Sequence, residues 1–288
     1  MAIAMTSAAP APAVPVLQRA GRAVLFALLV VYTTFAVGPL VWLATLSLRT
    51  TAEIDADHYA WPATAHWGKF ASAWTTSNYG GYFWNSVVVV CSAVAALLLI
   101  GAMAAYCLAR YRFPANRLIF FAIFSTIMLP PQITVISLFQ ILVTYRLFDS
   151  LVGLAIVYVG IQLPLTLYLL EGFFRRLPQD LFDAARMDGY GEFEVFWRVG
   201  LPLAAPGIVA VMILNFILLW NEFLYAVVLI TSDASRTLPL GVQKFTGDQF
   251  SDVGMIATGA MISVIPVILA YALFSEKVIR GMTAGAIK

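Results

Sequence analysis

The chain has 288 residues, 61% of them hydrophobic and only 11% charged, with a mean hydropathy of +0.88. Soluble domains average about 25% charged residues, so fifteen acids and seventeen Lys/Arg cannot cover a water-facing surface of this size, and disorder, which needs low hydrophobicity and high charge, is excluded too. A net charge of +2 leaves no footprint for nucleic acid.

A membrane-crossing helix needs about 20 predominantly apolar residues, and six stretches qualify. Residues 1–22 come first and read as a cytoplasmic disordered tail, Ala/Pro-rich and uncharged through residue 18. The first span, 23–48, lies between Arg22 and Arg49. It is too long for the apolar core of a signal peptide, and no small-residue cleavage pattern follows it. The second, 82–109, ends at Arg110 and holds Cys91 and Cys107, which have no metal or redox spacing and read as core residues. The third is 118–145 and the fourth 150–174, whose charge-free part closes at Glu171. The fifth, 203–232, carries one acid, Glu222. The sixth is 253–275, followed by a cytoplasmic tail, 276–288. Barrel strands would alternate over about 10 residues. The fold expected is therefore an all-α polytopic membrane protein with six transmembrane helices.

Lys and Arg positions set orientation. With the N-terminus inside, the inner segments hold twelve basic residues and the outer segments five: Arg49, Lys69, Arg146, Arg236 and Lys244. Both termini are expected in the cytoplasm. The outer loop then carries Trp61, Trp67, Trp74, Tyr79 and Tyr82, either as an interfacial aromatic belt or as a docking surface for an outside partner.

The cytoplasmic segment 175–202, between spans four and five, is too long and too patterned for a link. Pro178 can start a helix, and Leu181, Phe182 and Ala185 share one face. Gly189 or Gly191 breaks it, one of them able to take positive φ as a C-terminal cap. A second helix follows, with Phe193, Phe196 and Trp197 at i, i+3, i+4 spacing and Glu194 paired to Arg198. Pro202 is expected to end it. Periodicity alone leaves two readings open, a helix pair lying on lipid or a docking knob.

The spacing D-A-A-x3-G-x9-V-x-L-P, from Asp183 to Pro202, resembles the EAA loop of bacterial ABC importer permeases, E-A-A-x3-G-x9-I-x-L-P, with Asp183 for Glu and Val199 for Ile. The resemblance extends to Asn85-Ser86, to Gly101–Tyr106 before Arg110, to Met128-Leu-Pro-Pro-Gln132, to Trp220-Asn221-Glu222-Phe223 and to Gly281-Met-Thr-Ala-Gly285. Together these are similar to the carbohydrate-importer class, in particular the six-span subunit of maltose-type transporters. The resemblance implies a non-catalytic subunit of the bacterial inner membrane. Its partners would be a second homologous permease, two ATP-binding cassette subunits and an extracytoplasmic solute-binding protein. It implies that Asp183, Ala184, Ala185, Gly189, Val199, Leu201 and Pro202 couple the chain to the ATPase, and that the C-terminal tail reaches between the ATPase subunits.

Six prolines lie inside spans: Pro39, Pro130, Pro131, Pro164, Pro206 and Pro266. Each costs a helix hydrogen bond, and broken backbone at membrane depth belongs in protein or against a cavity. Pro130-Pro131, followed by Gln132, is the most severe break and is either a packing kink or a pathway-lining segment. Glu222 costs roughly 2.5–3.5 kcal/mol at a helix centre and must face protein or water. With Asn221 beside it, it is a candidate for substrate contact or for a bond to the partner permease. Small residues Ser92, Ala95, Ala96, Gly101, Ala102 and Ala105 favour close helix packing. No GxxxxGK[ST] is present, and His58 and His66 have no Cys ligand set near them. ATP and Mg are therefore expected on a partner ATPase, with no cofactor, metal or catalytic residue in this chain. The substrate expected is a sugar. The alternatives are an importer of glycerol phosphate or a related polyol, and an ion-coupled secondary transporter, which would show repeats and several midplane ionisable groups.

Overall fold

In the computed structural model, residues 16–245 and 252–284 are described, with side chains for 21–245 and 252–274. All regular structure among them is helical. The long apolar helices are α1 (Val16–Ser47), α4 (Tyr79–Arg110), α7 (Leu151–Arg176), α10 (Leu201–Trp220) and α13 (Val253–Ala284). Before α4 come two short helices, α2 (Thr51–Ala56) and α3 (Gly68–Thr75), and before α13 comes the short α12 (Leu238–Gly241). Between α4 and α7 the third span is made of α5 (Asn116–Ser125) and α6 (Pro131–Thr144). Among the described residues five helices are long and apolar enough to cross a membrane, and the bent third pair, counted as one span, brings the number to six.

Charge-free runs and helices do not end together. α1 begins at Val16, inside the stretch read as a tail, and α13 runs on to Ala284, past the end of the apolar run. Residues 1–15 and 285–288 lie outside the described residues. The third span turns by 102° between Met128 and Pro131. Pro130 sits at the N-cap in extended backbone and Pro131 in the first turn, where its missing N–H costs nothing, so the proline pair ends one helix and starts another. Single prolines act differently: Pro39, Pro164 and Pro206 each lie inside an unbroken helix.

The core sits around α4 and α7. Val89, Val90, Ala93 and Leu97 of α4 pack with Leu154, Val157 and Tyr158 of α7 and with Leu219 and Trp220 of α10. The small residues of α4 divide between two faces. Gly101, Ala102 and Ala105 are buried, and a Cβ on Gly101 would stand 2.8 Å from Thr166 Cγ2 of α7, so glycine is what allows that approach. Ser92 and Ala95 face outward. So do Cys91 and Cys107, correcting their reading as core: lipid is as apolar as a core, so an apolar side chain on a spanning helix has no drive inward. Tyr79 and Tyr82 are fully buried, where they serve neither as belt nor as docking surface, while Trp61 and Trp67 stay exposed. The α6–α7 link is tied down by Asp149, whose carboxylate accepts from the N–H groups of Thr231 and Ser232, each at 2.9 Å, and from the Ser232 hydroxyl at 3.0 Å.

Candidate functional site

Two regions hold the candidate residues: the loop after α7 and the paired breaks in spans three and five.

The loop starts at Pro178 in extended backbone and enters α8 (Gln179–Met187). Its buried face is Phe182 and Ala185, while Leu181, read as part of that face, is largely exposed. α8 ends on a Schellman cap. Gly189 has φ +88°, its N–H donates to the Arg186 carbonyl, and Tyr190 N–H donates to the Ala185 carbonyl. Left-handed backbone of this kind is open to glycine at no steric cost. Gly191, in extended backbone, then caps α9 (Glu192–Val195).

From Glu192 the chain stays helical to Trp220, so Pro202 does not end the second loop helix. A π turn, Phe196–Gly200, precedes it, with Leu201 N–H donating back to Phe196. Widening the helix by one residue accommodates both the missing N–H and the ring of Pro202. Val199, Leu201 and Pro202 are thus parts of a through-going helix, not of a stop.

The knob is held to the bundle by an aromatic cluster around Tyr106 of α4, which packs against Phe174, Phe182 and Phe196 with ring centroids 5.1–6.1 Å away. Arg110, at the end of α4, lies with its guanidinium 3.9 Å from the Phe182 ring and donates to the Leu177 carbonyl and to Gln179. On the outer side, Asp183 accepts from Gln179 and from Arg186, and Arg186 also reaches Glu192 at 2.9 Å. The Glu192 hydrogen bonds raise the Arg186 pKa further. Tyr111 donates to Glu192, and its own pKa is raised by burial and by that bond. This network closes α8 onto α9 across Gly189. Among the exposed residues around it are three large apolar side chains: Met187 is 88% exposed, Phe193 65% and Trp197 43%.

In span five, α10 stops at Trp220 and α11 (Leu224–Leu229) follows, splitting a stretch expected to be continuous through 232. Glu222 fills the gap. Its carboxylate accepts from the N–H groups of Tyr225 (2.9 Å) and Ala226 (3.2 Å) and from the Tyr158 hydroxyl (2.9 Å). It therefore caps α11 from within the chain, supplying acceptors for N–H groups that the break orphaned. Asn221 is exposed, its side chain turned back to the Ile217 carbonyl. The two breaks meet: Thr134, in the first turn of α6, shares a 2.8 Å hydrogen bond with Tyr225. Gln132, two residues earlier, is exposed. Tyr158, Thr134 and Tyr225 carry this geometry without standing out in the sequence, because single tyrosines and threonines in apolar runs form no spacing signal. Among the described residues no group of His, Cys, Asp and Glu is placed to hold a metal ion.

Residues 97–276 match the family of binding-protein-dependent transport system inner membrane components. The chain belongs to this family. It is a multi-pass inner membrane protein. A diacetylchitobiose uptake system permease protein of Streptomyces coelicolor is 36% identical to it, over 94% of this chain and 90% of the relative. A trehalose transport system permease protein of Mycobacterium tuberculosis is also 36% identical, over 88% and 93%. A crystal structure of a bacterial ABC transporter that imports alginate contains a chain with the same fold, at a TM-score of 0.78 and 22% identity, covering 92% of this chain and 99% of that one. A second, of a bacterial alginate transporter with an oligosaccharide-bound periplasmic protein, aligns at a TM-score of 0.63 and 11% identity over 89% and 94%.

Proposed function

We propose that this chain is the non-catalytic permease subunit of an ATP-driven sugar importer, docked on a cytoplasmic ATPase through the knob of α8 and α9. The observation that carries the reading is the knob itself. It pairs a rigid, internally bonded frame with the uncovered apolar tips Met187, Phe193 and Trp197. An exposed apolar patch rimmed by polar residues marks an interaction site. Asp183, Ala184, Ala185 and Gly189 shape its first helix and bend, and Val199, Leu201 and Pro202 its exit. The knob end faces the cytoplasm in this reading, which the excess of Lys and Arg on that side supports, and the partner ATPase supplies ATP and Mg. A second permease and a solute-binding protein complete the assembly, and the two 36%-identical relatives are named for diacetylchitobiose uptake and for trehalose transport.

The helix from Glu192 to Trp220 links the knob to the broken region. At 1.5 Å per residue, its 29 residues span roughly 43 Å. It starts in the Arg186–Glu192 frame and ends one residue before Asn221. Movement of the knob is thereby delivered to the junction of Asn221, Glu222, Tyr225 and Thr134, with Gln132 beside it, the segment we assign to the pathway.

The test is reconstitution in liposomes with the cognate ATPase, second permease and binding protein, followed by uptake of labelled trehalose and diacetylchitobiose. Uptake of at least one sugar should need internal ATP and survive an uncoupler. Uptake that ignores ATP and collapses with the uncoupler would refute the reading.

A further inference from the structure

At the knob end, away from the knob, a cavity of about 580 Å³ opens between the end of α4, the turn that follows it, the start of α5 and Arg175 of α7. Its lining combines apolar Leu108 and Leu118 with three arginines, Arg112, Arg117 and Arg175. Arg175 is paired with Glu171. Arg112 and Arg117 are exposed and have no ion pair among the described residues. The turn that presents them is fixed. Asn116 Nδ2 donates to the carbonyls of Leu108 at 3.1 Å and Tyr111 at 2.8 Å, and Ala115 takes φ +65°. Two uncompensated arginines are thus held at the level where the apolar run of α4 ends and that of α5 begins. Directly beyond, α5 turns Leu118 and Phe121 outward, 70% and 61% exposed.

The geometry points to a binding site for an anionic phospholipid, with its phosphodiester headgroup between Arg112 and Arg117 and its acyl chains along the outward face of α5. Basic pockets between spanning helices suit such headgroups. A free phosphate would use the arginines but leave the adjoining apolar face idle, which is why the lipid is the occupant we assign. Arg112 and Arg117 lie outside the knob's bonded frame, so the site can be tested apart from ATPase docking.

The experiment is native mass spectrometry of the assembled transporter in detergent, titrated with phosphatidylglycerol or phosphatidylcholine. An arginine near a membrane surface contributes about fivefold in binding to anionic lipid, so the R112Q/R117Q pair should lose roughly 25-fold in phosphatidylglycerol retention. ATPase stoichiometry and phosphatidylcholine binding should not change. The R112K/R117K pair, which keeps both charges, should stay within a few-fold of the parent. Undiminished phosphatidylglycerol retention in R112Q/R117Q overturns the proposal, as does equal loss of both lipids. Displacement of the lipid by millimolar inorganic phosphate would make it a free-anion site instead. Loss of the ATPase with lipid retained would make the patch a protein contact. If R112Q/R117Q fails to assemble, the lysine pair decides: retention supports the site and its loss rejects it.

Discussion

Gly189 is the point at which the knob can be tested with least disturbance to the membrane bundle. Its φ of +88° lies where L side chains are strained, yet a Cβ there would meet nothing within 4 Å. Gly189→Val therefore isolates backbone strain from steric clash. Non-glycine residues held in such regions cost of order 1–3 kcal/mol, and a β-branched residue falls toward the upper end. That cost lowers the population of the Schellman-capped bend about 5- to 150-fold relative to alternatives that splay α8 from α9. The six spans do not share it, since the residue lies in the exposed loop. Gly189→Val should insert normally but lose substrate-stimulated ATP hydrolysis, or the ATPase itself, on co-purification. Gly189→Asn, a residue that tolerates left-handed backbone, should behave close to the parent. If the valine variant binds the ATPase and transports at the parental rate, Gly189 is an incidental turn and the knob assignment fails.

Three further outcomes follow from the contacts. Glu222→Ala removes the acceptor for two backbone N–H groups, a helix-cap loss of about 0.5–2 kcal/mol, so the thermal midpoint of the purified transporter should fall while Glu222→Gln, which keeps an acceptor, falls less; an unchanged midpoint with an altered KM for sugar would show that Glu222 contacts the sugar and is not the cap of its pathway segment. Gly101→Ala forces a Cβ against Thr166 Cγ2 and should cost about 1–3 kcal/mol, of which Thr166→Ser, lacking that methyl but keeping the hydroxyl that Asn215 donates to, should restore most in the double variant; additive losses would show that the two residues do not meet. Desolvation pushes the Asp149 carboxyl up, but the N–H groups of Ser232 and Thr231 outweigh it and hold it below its ordinary 3.8, so its stabilisation is present above that value and is lost as pH falls through the lower folded one. The gap in thermal midpoint between the parent and Asp149→Asn should hold from pH 7 to pH 5 and close below about pH 4; a gap independent of pH would mean that the carboxylate's charge is not what ties Thr231 and Ser232.

What could be read from the sequence and what could not divides along a physical line. Burial in lipid needs long apolar runs, so the spanning stretches stand out. The bend at Gly189 stands out too, because glycine after an amphipathic stretch has few other uses. Side-chain direction on a spanning helix is different. Lipid and protein core are equally apolar, so nothing in the composition of α4 separates Cys91 and Cys107, which face out, from Val89 and Ala93, which face in. Breaks hide for a related reason. The split after Met128 is announced by two prolines, but the split after Trp220 has neither proline nor glycine, because Glu222 carries it by accepting from backbone N–H groups. Proline also misleads at Pro202, where the π turn before it lets the helix run on. In each case the deciding partner is a backbone group or a residue far along the chain, such as Tyr158, 64 positions from Glu222. A single acid inside a span therefore signals that the backbone around it needs an acceptor at least as strongly as it signals a ligand, and the three donors on Glu222 show which need is met within this chain.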